Sequence, residues 1–159
     1  MRRLLDFVNE STCYSPFSLM HAMLVLSFCA DDEAVREMVN KLGIQRDEML
    51  RLQQQLASDE SIALAANIFA KDIGAVNESF SKQMMEVFGF TPEKLRSAKQ
   101  VNDWCAKHTK GRITEIVNDV DFEAILLSAI HFKADWVIPF NKDFTEEKDF
   151  HGFDGTTKR

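Results

Sequence analysis

Nowhere in these 159 residues is there a run of basic side chains, and the net charge is −6. Surfaces that bind nucleic acid carry a clustered positive excess to neutralise phosphates, so no nucleic-acid partner is expected. Cysteine is scarce: Cys13, Cys29 and Cys105 are widely spaced, with no C-x-x-C. An odd count without a framework reads as reduced, mostly buried thiols in a reducing compartment. No apolar run reaches membrane-spanning length, since Phe17 to Ala30 is too short and contains His21, so no membrane partner is expected. The start, Met1-Arg2-Arg3-Leu4-Leu5-Asp6-Phe7, has no long apolar stretch of the signal-peptide kind. As written the chain reads as cytoplasmic, and as extracellular if its true start lies upstream. In the second case the N-x-S sequons at Asn9 and Asn77 become glycosylation candidates. G-x-S-x-G, P-loop and H-E-x-x-H motifs are missing, as are internal repeats and long linkers. No enzyme activity, cofactor or metal is expected from such a pattern.

What is present suits a single globular domain over residues 1–159. Apolar residues make up 45% and charged residues 28%, and thirteen Phe supply much of the core material. A chain of this length can bury roughly two thirds of its unfolded surface.

Ser15-Pro16 predicts a helix start, Ser as cap and Pro at the first position. The helix that follows, Phe17 to Cys29, is apolar nearly all round and reads as a buried central one. Asp31 and Asp32 open a second helix, with Val35, Met38, Val39 and Leu42 on one face and Gly43 closing it. Arg46 to Ala57 forms a third, more polar helix. Ile62 to Ile68 alternates as a strand, and a fourth helix starts at Asn77 or Glu78. Thr91-Pro92-Glu93 predicts the start of a fifth, ending near Lys110-Gly111. Ala124 to Trp136 is apolar on both faces and is expected in the middle of a sheet. A further strand opens between Asp149 and Thr157. The layout is α+β.

Cys105 and His108 sit three apart on one helix face, the spacing of a nucleophile pair or a metal site. No third group has the spacing to complete either, so Cys105 is expected in the core. His131, inside a strand, reads as a packed imidazole. The acid pairs Asp31-Asp32 and Glu146-Glu147 read as a helix start and a solvated turn.

Five segments, in order, carry a resemblance to one family. Tyr14-Ser15-Pro16-Phe17-Ser18 resembles the F-S-P-x-S start of helix B of the serpins. Ala66-Asn67-Ile68-Phe69 is similar to their A-N-x-[LI]-[FY] strand. Val101-Asn102-Asp103-Trp104 with Thr109-Lys110-Gly111-Arg112-Ile113 resembles I-N-x-W-V … T-x-G-x-I of helix F. Leu127 to Lys133 with Trp136 resembles V-N-A-[IL]-[YF]-F-K-x-x-W, and Asp149-Phe150-His151 with Asp154-Gly155-Thr156-Thr157 resembles the next sheet's opening.

The resemblance implies a partial serpin-like domain: N-terminal helices on an incomplete sheet A, with the start of sheet C, and without sheet B or the reactive loop. It implies descent from serine protease inhibitors, with a serine or cysteine protease as partner of a full-length form and no inhibition by these residues alone. Ser15, Ser18 and Ser128 match shutter positions beneath sheet A. Ser128 stands where Asn is usual, and a hydroxyl offers one donor where an amide offers two. Trp136 matches the breach tryptophan, and Asn102 and Trp104 match helix F. Arg46 and Arg51 face Asp47 and Glu48, so a heparin-type basic face is not supported. The alternative is a non-inhibitory module that recruits a peptide, or a second copy, at the open edge of sheet A. Without sheet B over the all-apolar helix, a marginal or aggregation-prone chain is expected.

Overall fold

A computed structural model of the chain describes residues 15–158. Ser15 caps the first helix, α1 (Pro16–Leu26), its Oγ accepting from Ser18 N at 3.1 Å, with Pro16 at the first position. Met20, His21, Leu24 and Val25 form its buried side, while Leu19 and Leu26 are exposed. The helix that reads as apolar all round is thus covered on one side only, and it stops at Leu26, where Ser27 Oγ donates to Leu24 O. α2 (Asp32–Leu42) follows its pattern closely. Asp31 accepts from Ala34 N at 2.8 Å, Met38 is buried, and Gly43 closes the helix at φ 69°, where a Cβ would be strained. α3 (Arg46–Ala57) buries Met49 and Gln53, and its Arg46 guanidinium lies 4.0 Å over the Phe28 ring.

The sheet begins with β1 (Ile62–Ala70), and α4 (Glu78–Phe88) follows, capped by Asn77. The segment read as the start of the fifth helix is β2 (Glu93–Lys94), parallel to the end of β1, and α5 runs only from Ala98 to His108. Ser97, not Thr91, is the cap, its Oγ accepting from Gln100 N at 3.2 Å. The reason is tertiary: Leu95 N donates to Ala70 O at 2.8 Å, and its side chain is buried with Phe69, Val101 and Leu127. A helix over 92–97 would forfeit both.

β3 (Ala124–Phe132) pairs antiparallel with β1 at all nine positions, from Ile62 opposite Phe132 to Ala70 opposite Ala124. The strand order is β2-β1-β3, so β1 is central and β3 is an edge strand. Its two apolar faces are explained by helices, not by a place mid-sheet. Leu126 packs with Val25, Met84 and Phe90 on the α1/α4 face, and Leu127 packs with Val101 and Trp104 on the α5 face. The strand also ends four residues before the expected Trp136. A small hairpin, β4 (Phe150–His151) with β5 (Thr157–Lys158), occupies the expected region. Between β3 and it, Trp136, Val137, Ile138, Phe140 and Phe144 are all exposed.

Candidate functional site

α1 meets β3 through one side-chain hydrogen bond. His21 Nδ1 lies 3.1 Å from Ser128 Oγ, joining residues 107 apart in sequence. The imidazole is 2% exposed, stacked on Phe17 one helical turn away (centroids 5.9 Å) and against Phe88 of α4 (5.6 Å). Its Nε2 has no partner. A neutral imidazole carries one N–H and one lone pair, so the unpaired nitrogen is a buried donor or acceptor whichever way the proton sits. Burial in this apolar box holds the His21 pKa at about 4, far below 6.5, because the charged form would lose its hydration.

Of the three serines singled out in the sequence, Ser128 is the one that bonds from the sheet to α1. Ser15 Oγ serves as the α1 cap, and Ser18, half-buried on the first turn, is the residue whose amide it receives. His21 is the residue the motif reading missed. Its one sequence signal is a polar ring in the middle of a helix that is otherwise apolar beyond its first turn, four residues after Phe17.

On the opposite face of the sheet, Asn102 acts as a clip. Its Nδ2 donates to Val117 O (2.8 Å), and its Oδ1 accepts from Ile116 N (2.9 Å) and Val117 N (3.2 Å). One side chain thereby ties the irregular segment after α5 back onto the helix. Trp104, half-buried, joins the core of Phe69, Leu95, Val101 and Leu127, with His108 packed against its ring at a 34° tilt, centroids 4.4 Å apart. Trp136 lies beyond the end of β3, 72% exposed, edge-to-face with Phe140 at 5.7 Å.

Cys105 is buried, and burial pushes its thiol pKa up, away from the thiolate a nucleophile or ligand requires. His108 turns its ring to Trp104, and burial together with Lys107 lowers its pKa. His131 is half-buried on β3 opposite Ala63. Asn77 is exposed at the α4 cap, and Asn9 and Cys13 lie outside the described residues.

The remaining feature is the outer edge of β3. The ladder bonds flanking the β1–β3 pair, Lys133 N to Ser61 O and Lys71 N to Glu123 O (2.9 Å each), assign the odd-numbered residues of both strands to each other. Leu126, Ser128 and Ile130 therefore turn their main-chain groups outward, on an edge that no described strand covers.

Comparison with known proteins gives this geometry a context. The family model Serpin (serine protease inhibitor) matches residues 2–159. Antichymotrypsin-2 of Bombyx mori is 26% identical over 160 residues, covering 90% of this chain and 43% of that protein. Plasma serine protease inhibitor of Homo sapiens is 27% identical over 163 residues, covering 90% and 40%. The chain thus spans about two fifths of the length of the curated relatives it matches. Among solved structures, Manduca sexta serine protease inhibitor (serpin)-12 superposes with a TM-score of 0.80 at 19% identity, over 99% of this chain and 50% of that one. Thyroxine-binding globulin in complex with thyroxine gives 0.81 at 21%, over 98% and 48%. At these identities the structural likeness shows the fold.

Proposed function

Because the chain belongs to the serpin family, we propose that these 159 residues form the strand-accepting part of a serine protease inhibitor. The observation that carries this reading is the nine-residue edge of β3, paired with β1 on one side only. An inhibitor of this kind offers a loop to a serine or cysteine protease, acylates the protease's nucleophile through the loop carbonyl as that peptide bond breaks, and inserts the cut loop into its central sheet. The outward main-chain groups of Leu126, Ser128 and Ile130 are the ones an inserted strand would take up. Ser15, Ser18 and Ser128 are read as the shutter beneath that edge, with His21 added because it bonds Ser128. Asn102 and Trp104 hold α5 over the other face, and Trp136 is assigned to the breach at the end of the strand.

These residues supply the acceptor and not the bait, so they are read as inactive by themselves and as no enzyme. Incubation with trypsin, chymotrypsin and papain should give no SDS-resistant adduct of this chain. A single such adduct would overturn the reading.

A second reading is favoured by the same edge together with the exposed Trp136, Val137, Ile138 and Phe140. It is that of a non-inhibitory module that self-associates or binds a peptide at β3. A monodisperse monomer at all concentrations, binding no strand-mimicking peptide, would count against it.

A further inference from the structure

The outer edge of β3 carries, besides its main-chain groups, a pattern of side chains that is complementary to itself. The strand runs from Ala124 to Phe132, so Ser128 is its midpoint. The bonds from Lys71 N to Glu123 O and from Lys133 N to Ser61 O keep one further residue at each end in the ladder. Glu123 and Lys133 therefore stand equidistant from Ser128 and carry opposite charges. Both are exposed. Among the described residues no carboxylate pairs with Lys133, and Lys71 reaches only Oε1 of Glu123, at 3.4 Å.

We propose that a second copy of this chain pairs along this edge, antiparallel and with Ser128 opposite Ser128, giving a symmetric dimer with one continuous sheet. The proposal rests on the reading of β3 as a self-associating edge, to which it adds the partner and the register. A two-fold axis perpendicular to the sheet at Ser128 sets the outward groups of Leu126, Ser128 and Ile130 against Ile130, Ser128 and Leu126 of the second copy. This register pairs the strand over its whole length. Phe132, 67% exposed, comes opposite the small, exposed Ala124 of the second copy. Glu123 comes opposite Lys133 at both ends, in the kind of pair where facing side chains approach most closely. Sliding the copies by two residues sets Glu123 against Asp135 in one direction and His131 in the other, and leaves a strand end unpaired. Asp121 and Asp135 lie beyond these pairs, in irregular segments outside the ladder, so the register does not force them together. Each copy carries −6, so net charge opposes association and the attraction must come from local pairs. Dependence on Glu123 and Lys133 together is therefore diagnostic.

The test is sedimentation velocity of the chain over about 1–100 µM, joined to amide hydrogen exchange. A dimer should form, and its formation should slow exchange at Leu126, Ser128 and Ile130 of the unaltered protein, which keeps the test decisive if a variant fails to fold. Lys133→Glu and Glu123→Lys, surface changes checked by circular dichroism, should each weaken the dimer by roughly tenfold or more, since each sets like charges opposite at both ends. An equimolar mixture of the two variants should restore it, because every Glu then faces a Lys across the edge. A dimer indifferent to both changes, a mixture that is not restored, or protection away from the β3 edge overturns the proposal and leaves self-association standing. A monomer throughout the range also overturns it. If that monomer binds no strand-mimicking peptide either, the reading on which the proposal rests falls with it.

Discussion

Acid should loosen the junction between α1 and β3, because His21 must take up a proton in a box that cannot hydrate it. No carboxylate enters; burial alone lowers its pKa from 6.5 to about 4. Between those values the unfolded chain binds a proton that the folded chain refuses. Stability is then fully present above about 6.5, falls as pH drops through this window, and the loss is complete below about 4. At about 1.4 kcal/mol per tenfold change in proton affinity, the loss is about 3 kcal/mol, a large share of the ~5–15 kcal/mol typical of a domain. Carboxylates titrate in the same range, so the measurement is a difference. Urea midpoints of the unaltered chain and His21→Leu are compared at neutral pH and near pH 4. The leucine side chain would keep the contacts with Phe17 and Phe88 without titrating. The unaltered chain should lose about 3 kcal/mol more than the variant across the window. Two curves that fall in parallel would refute the account of a dry imidazole with its Nε2 unpaired.

Asn102→Ala removes three hydrogen bonds that hold residues 116–117; at ~0.5–1.5 kcal/mol each it should cost about 2–3 kcal/mol, with faster amide exchange at Ile116 and Val117 as the local signature. Asp31→Ala deletes the α2 cap and should cost ~1 kcal/mol in a denaturant titration. Leu24→Ala empties a fully buried position between α1, α2 and α3 and should cost ~2–5 kcal/mol, enough to abolish a cooperative thermal transition in a marginal chain. Ile138→Lys breaks the exposed apolar stretch after β3, and light scattering should show less self-association with the melting temperature unchanged.

How much of this was legible depended on the range of the interactions involved. α2 could be read in full because its cap, its stripe and its closing Gly43 all lie within thirteen residues. Thr91-Pro92 carries an equally good local start signal, yet it leads into the strand β2. The competing partner, Ala70 O, is more than twenty residues away and leaves no mark in the local pattern. β3 reads as doubly apolar and therefore as mid-sheet, because composition reports that both faces are covered and not whether a strand lies on each side. At the candidate site, the motif points to Ser15, Ser18 and Ser128, and His21 enters the sequence reading only as a break in an apolar run. A histidine in an apolar helix looks like an interruption until the strand it faces is known.

The sequence by itself determined the α+β class, the order of most elements, the family and most of the caps, all of which rest on contacts within a few residues or on motifs that survive as text. Only the tertiary structure decided that, among the described residues, β1 is central, that β3 and the upstream half of β1 have no strand on their other edge, and that His21 is the group bonded to Ser128. Strand order and buried pairing are set by groups far apart in the chain. Their energies arise when water is excluded between surfaces brought together, and no local pattern encodes which surfaces those are.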